Sequence, residues 1–240
     1  LSLPGETPAP ALPGETAAPD AASDLGRPRD RPVVLDRRGE SPLAVLADAR
    51  AAGGEVLAVC ADVDRRLDGL RARTGGFSLV CYHALERAPE TVHGFAHVMA
   101  LDPPACAHQR RLLESTGGFV HLAWGNAELR FAQQMHELEY GLRSPLAALY
   151  RALRRHGRAA GETLESVLRG EHPGRPARLS ARLVRVLAEL ELVTLDSHLP
   201  ALSIVSEEPT ALERSAAYRA YAQRHEDGRR YLSSPTAQTV

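Results

Sequence analysis

Asp36, Asp62, His83 and Asp102 each follow a short apolar run of the kind that forms a buried strand. In an open parallel sheet the carboxyl ends of the strands line the ligand crevice. Aspartates gathered there could hold Mg²⁺ or act on a nucleotide. Each aspartate also has a simpler local role. Asp62 can cap the next helix, Asp102 leads into Pro103-Pro104, and Asp36 stands beside Arg37 and Arg38. The simpler roles are preferred, because sheet architecture alone says little about catalysis, and no catalytic residue is assigned. Cys81-Tyr82-His83, the pair His93 and His97, and Cys106-Ala107-His108 offer zinc-ligand residue types. Structural zinc usually wants a tight clip such as Cys-x-x-Cys, which is missing, so no metal site is assigned.

All 29 basic residues are arginine. Without lysine there is no Walker-type phosphate contact and no Schiff base, which excludes P-loop nucleotide hydrolysis. Arg37-Arg38-Gly39-Glu40 follows the first strand where a dinucleotide site would need a glycine-rich turn. The net charge of −1 hides an uneven distribution. Residues 1–142 hold 14 Arg against 19 acids, whereas residues 143–185 hold 10 Arg against 3 acids. Such a local excess is the electrostatic footprint of a nucleic-acid surface.

The arginines singled out as partner- or DNA-binding are Arg143, Arg151, Arg154, Arg155, Arg175, Arg178, Arg182 and Arg185. Arg182 and Arg185 lie one turn apart on a helix whose Leu183, Val186, Leu187 and Leu190 should pack inward. Arg175 and Arg178 immediately precede that helix, where guanidinium groups and helix amides could meet phosphate oxygens. Tyr150 is the sole aromatic residue between Arg143 and Ser206, so base stacking receives no support. Arginine forks can equally grip an acidic peptide, and both partners remain open.

The elements that must position these residues follow from periodicity. Strands are expected at Val33–Leu35, Val56–Cys60, Phe77–Tyr82, His97–Leu101 and Phe119–Trp124. Helices are expected at Ser41–Ala52, from Asp62 to Arg73, at Cys106–Ser115 and at Leu129–Leu142. The fold class is α/β: a Rossmann-like parallel open sheet of about five strands, with Leu35, Val59, Val80 and Met99 in its core. A winged helix-turn-helix should follow over residues 143–206, built on Leu146, Leu149, Tyr150 and Leu153, then Glu162–Arg169 and Leu179–Leu190. Its hairpin pairs Leu192–Leu195 with Leu202–Val205, and a terminal helix runs over Thr210–Tyr231.

Residues 1–31 read as a disordered linker, with Leu3-Pro-Gly-Glu-Thr repeated from Leu12. The expected domains are thus this linker, an α/β unit over 32–142 and a winged-helix unit over 143–240. A linker opening on Leu1 rather than Met leads us to expect an upstream domain. Cys60, Cys81 and Cys106 read as reduced thiols of a cytoplasmic protein. No apolar run is of bilayer length and no signal peptide is evident, so no membrane partner is expected.

Three segments carry a family resemblance: Arg143-Ser-Pro-Leu-Ala-Ala-Leu-Tyr150-Arg-Ala-Leu, Leu183-Val-Arg-Val-Leu-Ala-Glu-Leu-Glu-Leu-Val193, and Leu212-Glu-Arg-Ser215-Ala-Ala-Tyr218. They resemble the C-terminal region of RecJ-type single-stranded-DNA-specific exonucleases, and the preceding α/β part looks similar to those proteins' helicase-like accessory domain. The resemblance implies a noncatalytic accessory region serving DNA repair and recombination. Its implied partners are single-stranded-DNA-binding protein or another repair protein, single-stranded DNA, and an upstream nuclease core. That core's Asp-His-His chemistry, with Mn²⁺ or Mg²⁺, digests strands from the 5′ end. No Asp-His-His occurs here, so no catalytic residue and no cofactor carries over to this fragment. Two other readings remain: a winged-helix DNA-binding regulator with an α/β sensor, and an α/β enzyme using the strand-end aspartates.

Overall fold

A computed structural model describes residues 32–71, 75–170, 174–196 and 198–238. The expected linker over residues 1–31 lies outside the described residues.

The first half alternates strand and helix. Its elements are β1 (Val33–Asp36), α1 (Pro42–Ala51), β2 (Val56–Cys60), α2 (Val63–Arg71), β3 (Ser78–Cys81) and α3 (Tyr82–Arg87). A 3₁₀ turn at Pro89–Gly94 leads to β4 (His97–Ala100), α4 (Ala107–Leu113), β5 (Phe119–Leu122) and α5 (Asn126–Tyr140). The five strands form one parallel sheet in the order β1-β5-β4-β2-β3. Every residue of β2 and β4 is buried, because these inner strands are covered on both faces. Val45, Leu46 and Ala49 of α1 pack with Ala58, Cys60 and Met99 on one face. Tyr82 and Leu85 of α3 and Leu113 of α4 pack with Val59, Val98 and Val120 on the other. Of the four expected core residues, Met99 and Val59 are fully buried. Leu35 and Val80 are only partly so, since β1 and β3 are the edge strands.

β2 and β4 are neighbours, yet β2 continues into α2 on one face and β4 into α4 on the other. Their carboxyl ends therefore diverge and leave the crevice where open α/β sheets hold ligands. Asp62 and Asp102 stand at its two lips.

The second half contains α6 (Arg143–His156), β6 (Arg158–Ala160), α7 (Gly161–Arg169), α8 (Ala177–Glu189), β7 (Val193–Asp196) and β8 (Ala201–Ile204). Its strands form an antiparallel sheet ordered β6-β8-β7. Three helices and a hairpin were expected; β6 is an additional strand. Its burial alternates over only three residues, Arg-Ala-Ala, too short a run to read from the sequence. It forms because Gly157, at φ +63°, ends α6 and turns the chain onto β8. Leu146, Leu149, Leu153, Leu183, Val186, Leu187 and Leu202 fill the core between the helices and the sheet.

Other elements also differ from expectation. No helix was expected between β3 and β4; α3 is an additional element, and Tyr82 opens it instead of closing β3, which lets its ring enter the core. The terminal helix breaks into a 3₁₀ turn at Leu212–Arg214 and α9 (Ala216–Leu232), because Ser215 accepts a capping bond from the Tyr218 amide at 3.0 Å. No helix among the described residues is long and apolar enough to cross a membrane.

A histidine pair lies between β4 and β5. His97 Nε2 is 3.0 Å from the Gly53 carbonyl, which can only accept, so Nε2 carries the proton. His97 Nδ1 must then accept from His121 Nε2 at 3.0 Å, leaving His121 Nδ1 a buried lone pair with no partner. Both rings are neutral in this arrangement. Burial, then His97 and Arg37, pushes the His121 pKa down to about 4. Because the folded value lies below the unfolded one, the neutral ring's contribution is complete above about pH 6.5. It is lost as pH falls toward 4, amounting to about 3 kcal/mol. Urea unfolding between pH 7.5 and 4.5 should show this decline, and His121→Leu should flatten it. An unchanged slope in that variant would place the titrating group elsewhere.

Candidate docking interface at the carboxyl edge of the sheet

Each strand-end carboxylate is held by arginine. Asp102 is fully buried and pairs with Arg66; it also accepts from the Ala61 amide at 2.9 Å. The Tyr82 hydroxyl donates to the Asp102 backbone carbonyl at 2.6 Å. Burial pushes the Asp102 carboxyl above its ordinary range, against the opposing pull of Arg66. Asp62 caps α2 through the Arg65 amide at 3.1 Å, as its position implied. Its other oxygen lies 3.1 Å from both Arg65 Nη1 and Arg178 Nη2. Asp36 receives Arg38 at 2.8 and 2.6 Å, and that fork lowers its pKa. Among the described residues, no group of three His, Cys, Asp or Glu side chains is arranged to hold a metal ion.

The contact between Arg178 and Asp62 joins the two halves of the chain. Arg178 also pairs with Glu139 near the end of α5. Arg182, one turn along α8, donates to the Glu139 carbonyl at 2.8 Å and to the Tyr140 hydroxyl at 3.3 Å. Its guanidinium carbon lies 4.3 Å from the centre of the Tyr140 ring. Arg224 of α9 lies 5.3 Å from the centre of the same ring and meets Glu86 of α3 at 2.5 Å. Glu86 in turn accepts from Gln109 at 3.0 Å. Tyr140 is thus flanked by two cations, a favourable contact for a ring's negative face in a desolvated setting. Burial nonetheless raises its hydroxyl pKa.

α9 carries the chain back across the crevice. It packs closely along α5: a methyl group at Gly228 would sit 2.2 Å from the His136 ring. Glu189, at the end of α8, accepts from Ser215 Oγ and the Ala217 amide, both at 2.8 Å, and so holds the start of α9. Those two bonds, with Arg185, lower the Glu189 pKa to about 2. Beyond α9, the Ala237 carbonyl accepts from Trp124 Nε1 at 2.8 Å, and Arg38 Nη1 reaches the Thr236 and Gln238 carbonyls at 3.1 and 2.7 Å. The tail therefore ends against β1 and β5.

The eight arginines picked out from the sequence divide into two groups. Arg175, Arg178 and Arg182 turn inward. Arg175 donates to the Val167 carbonyl at 2.5 Å near the C-terminus of α7, and burial lowers its pKa. Arg143, Arg151, Arg154, Arg155 and Arg185 stay on the surface. Arg143 meets Glu213 at 3.1 Å, Arg154 pairs with Glu207, and Arg185 meets Glu189 at 3.1 Å. Arg151 donates to the Ala147 carbonyl at 3.1 Å. The structure does not bring all eight onto one face: Arg182 and Arg185 point to different surroundings. Glu86, Glu139, Tyr140 and Arg224, which build the joint, were not singled out from the sequence. Their partners lie dozens of residues away, and no local spacing announces such pairs.

Between α3, the β4–α4 loop, α5 and α9 lies a cavity of about 290 Å³, lined in part by Tyr82, His83, Cys106, Met135, Tyr140 and Arg224. His83 is half-buried, which lowers its pKa. No protein-family model, curated protein or solved structure matches this chain.

Arg178→Gln leaves Asp62 and Glu139 without their shared counter-charge. It should cost roughly 1–3 kcal/mol in chemical denaturation, since Asp62 keeps Arg65 and Glu139 keeps only Arg182 at 3.8 Å. Arg185→Gln, at the exposed pair, should cost clearly less. Equal losses in the two variants would show that the joint contributes nothing special.

Proposed function

We propose that this chain is a noncatalytic accessory region of a RecJ-like 5′→3′ single-stranded-DNA exonuclease, docking a partner protein and DNA during repair and recombination. The observation that carries the reading is the Arg178 bridge. At the lip of the crevice where an open sheet would work on a ligand, Asp62 is instead engaged by Arg178 from the second half of the chain, which also pairs with Glu139. The carboxylates that could have bound a divalent cation already have monovalent partners at hydrogen-bond distance.

The element order α6-β6-α7-α8-β7-β8, three helices and a three-stranded antiparallel sheet, is the order of a winged helix-turn-helix. We assign residues 143–206 to that fold. The segments resembling RecJ-type proteins fall on α6, on the α8–β7 junction and on the start of α9, the elements that build and attach this module. In this reading the hydrolytic chemistry, with its Mn²⁺ or Mg²⁺, belongs to an upstream core. The partner is single-stranded-DNA-binding protein or another repair protein, and the setting is cytoplasmic.

Incubating the purified chain with 5′-labelled single-stranded DNA and Mn²⁺ or Mg²⁺ should release no nucleotides. Metal-dependent release that disappears in Asp102→Asn would overturn the reading in favour of a strand-end-aspartate enzyme.

The 290 Å³ cavity favours a second reading, a DNA-binding regulator whose α/β half senses a small ligand. A footprint confined to one duplex sequence would support it; equal protection of unrelated duplexes would count against it.

A further inference from the structure

We propose that the outer face of α6, continued by β6, is a sequence-independent binding surface for nucleic-acid phosphates, and that α8 does not enter a groove. The inference rests on the accessory-region reading and says which surface meets the nucleic acid and how.

A winged helix commonly reads base edges with the N-terminal residues of its third helix. Here those positions are consumed. Arg178 is bonded to Asp62 and Glu139, and Arg182 to the Glu139 carbonyl and the Tyr140 hydroxyl. Leu179, Leu183, Val186 and Leu187 face the core, and the end of α8 holds the start of α9. The helix best placed to discriminate sequence is sealed against its own chain.

The opposite holds on α6. Leu146, Leu149 and Leu153 bury one side, which turns Arg151, Arg154 and Arg155 to solvent. Arg158 follows in β6, beyond the turn at Gly157 that ends the helix, and is 56% exposed. Arg151, Arg154 and Arg155 are spaced i, i+3 and i+4, so they share one helix face over roughly 6 Å. That length covers about two phosphates along one duplex strand. α6 carries no acidic residue, and three of its four arginines lie toward the C-terminal end, where the helix dipole favours cations. Arg155 has no carboxylate partner among the described residues. Arg154 and Arg158 meet Glu207 and Asp196 only in exposed pairs, the second at 3.6 Å, which phosphate can displace at little cost.

The occupant follows from what surrounds the stripe. Ala147 and Ala148 are exposed beside it, so a backbone can approach closely, but no large apolar side chain of α6 is exposed to anchor a peptide. Tyr150 is half-buried and its hydroxyl donates to the Ser206 carbonyl at 2.5 Å, so it offers no free ring for stacking. On α6, charge without an apolar anchor or a stacking platform matches phosphate contact and not base readout.

Fluorescence anisotropy of the full chain tests this with an oligo-dT strand, two duplexes of unrelated sequence and an acidic peptide, at 50 and 200 mM salt. The chain should bind both duplexes equally and lose affinity steeply with salt. The triple variant Arg151→Gln/Arg154→Gln/Arg155→Gln should bind DNA at least about 10-fold more weakly. Its log-affinity slope against log salt should be lower by about 2 to 3. The variant Arg229→Gln/Arg230→Gln, which removes charge at the far end of α9, should bind like the parent chain. Unaltered thermal melting would show that the triple variant still folds. Absent DNA binding at 50 mM salt, a triple variant indistinguishable from the parent, or preference for one duplex would each overturn the proposal. Tighter binding of the peptide than of DNA would overturn the chosen occupant while leaving the accessory reading intact. Nucleotide release by the chain would defeat that reading itself.

Discussion

A carboxylate taken out of water must find a counter-charge or give up its own charge, and this chain places two carboxylates, Asp62 and Asp102, almost fully out of water at the mouth of its sheet. Asp102 meets its requirement within the first half of the chain, through Arg66 and the Ala61 amide. Asp62 draws one of its partners from a helix 116 residues further on. The same Arg178 also engages Glu139, so one guanidinium ties the sheet, its following helix and the C-terminal module together. A compact arginine fork suits this task because it can meet two carboxylates at once while remaining charged.

The rest of the joint follows from that placement. With α8 held over the crevice, Arg182 lies against Tyr140, and α9 is set to run back along α5. Arg224 also lies against the Tyr140 ring and reaches Glu86. The tail continues to the far side of the sheet, where Trp124 and Arg38 hold its carbonyls. The last element of the chain thus contacts the edge where the first strand lies.

This arrangement explains how one basic sequence can hold arginines with opposite roles. Within residues 143–185 the positive excess looks uniform on paper. In space the arginines at the start of α8 face the acidic lip of the sheet and are neutralised there. Those at the end of α6 face solvent, with only exposed carboxylates nearby. Burial and partner distance, not charge density along the sequence, decide which cations are free to meet another molecule.

Periodicity and punctuation in the sequence were enough to determine the five strands and most of the helices between them, the capping role of Asp62, and the inward row Leu183, Val186, Leu187 and Leu190. These features depend on neighbours within about a turn or on a repeat that a core face must obey. Tertiary structure alone decided the strand order, the short β6 with its single buried residue, and the start of α3 at Tyr82. It alone also decided that Arg178 and Arg182 belong to the interior while Arg151 and Arg155 do not. The physical reason is that a helix exposes the same residue types on any uncovered face. Which face becomes covered depends on contacts closed over more than a hundred residues, and no local spacing records them.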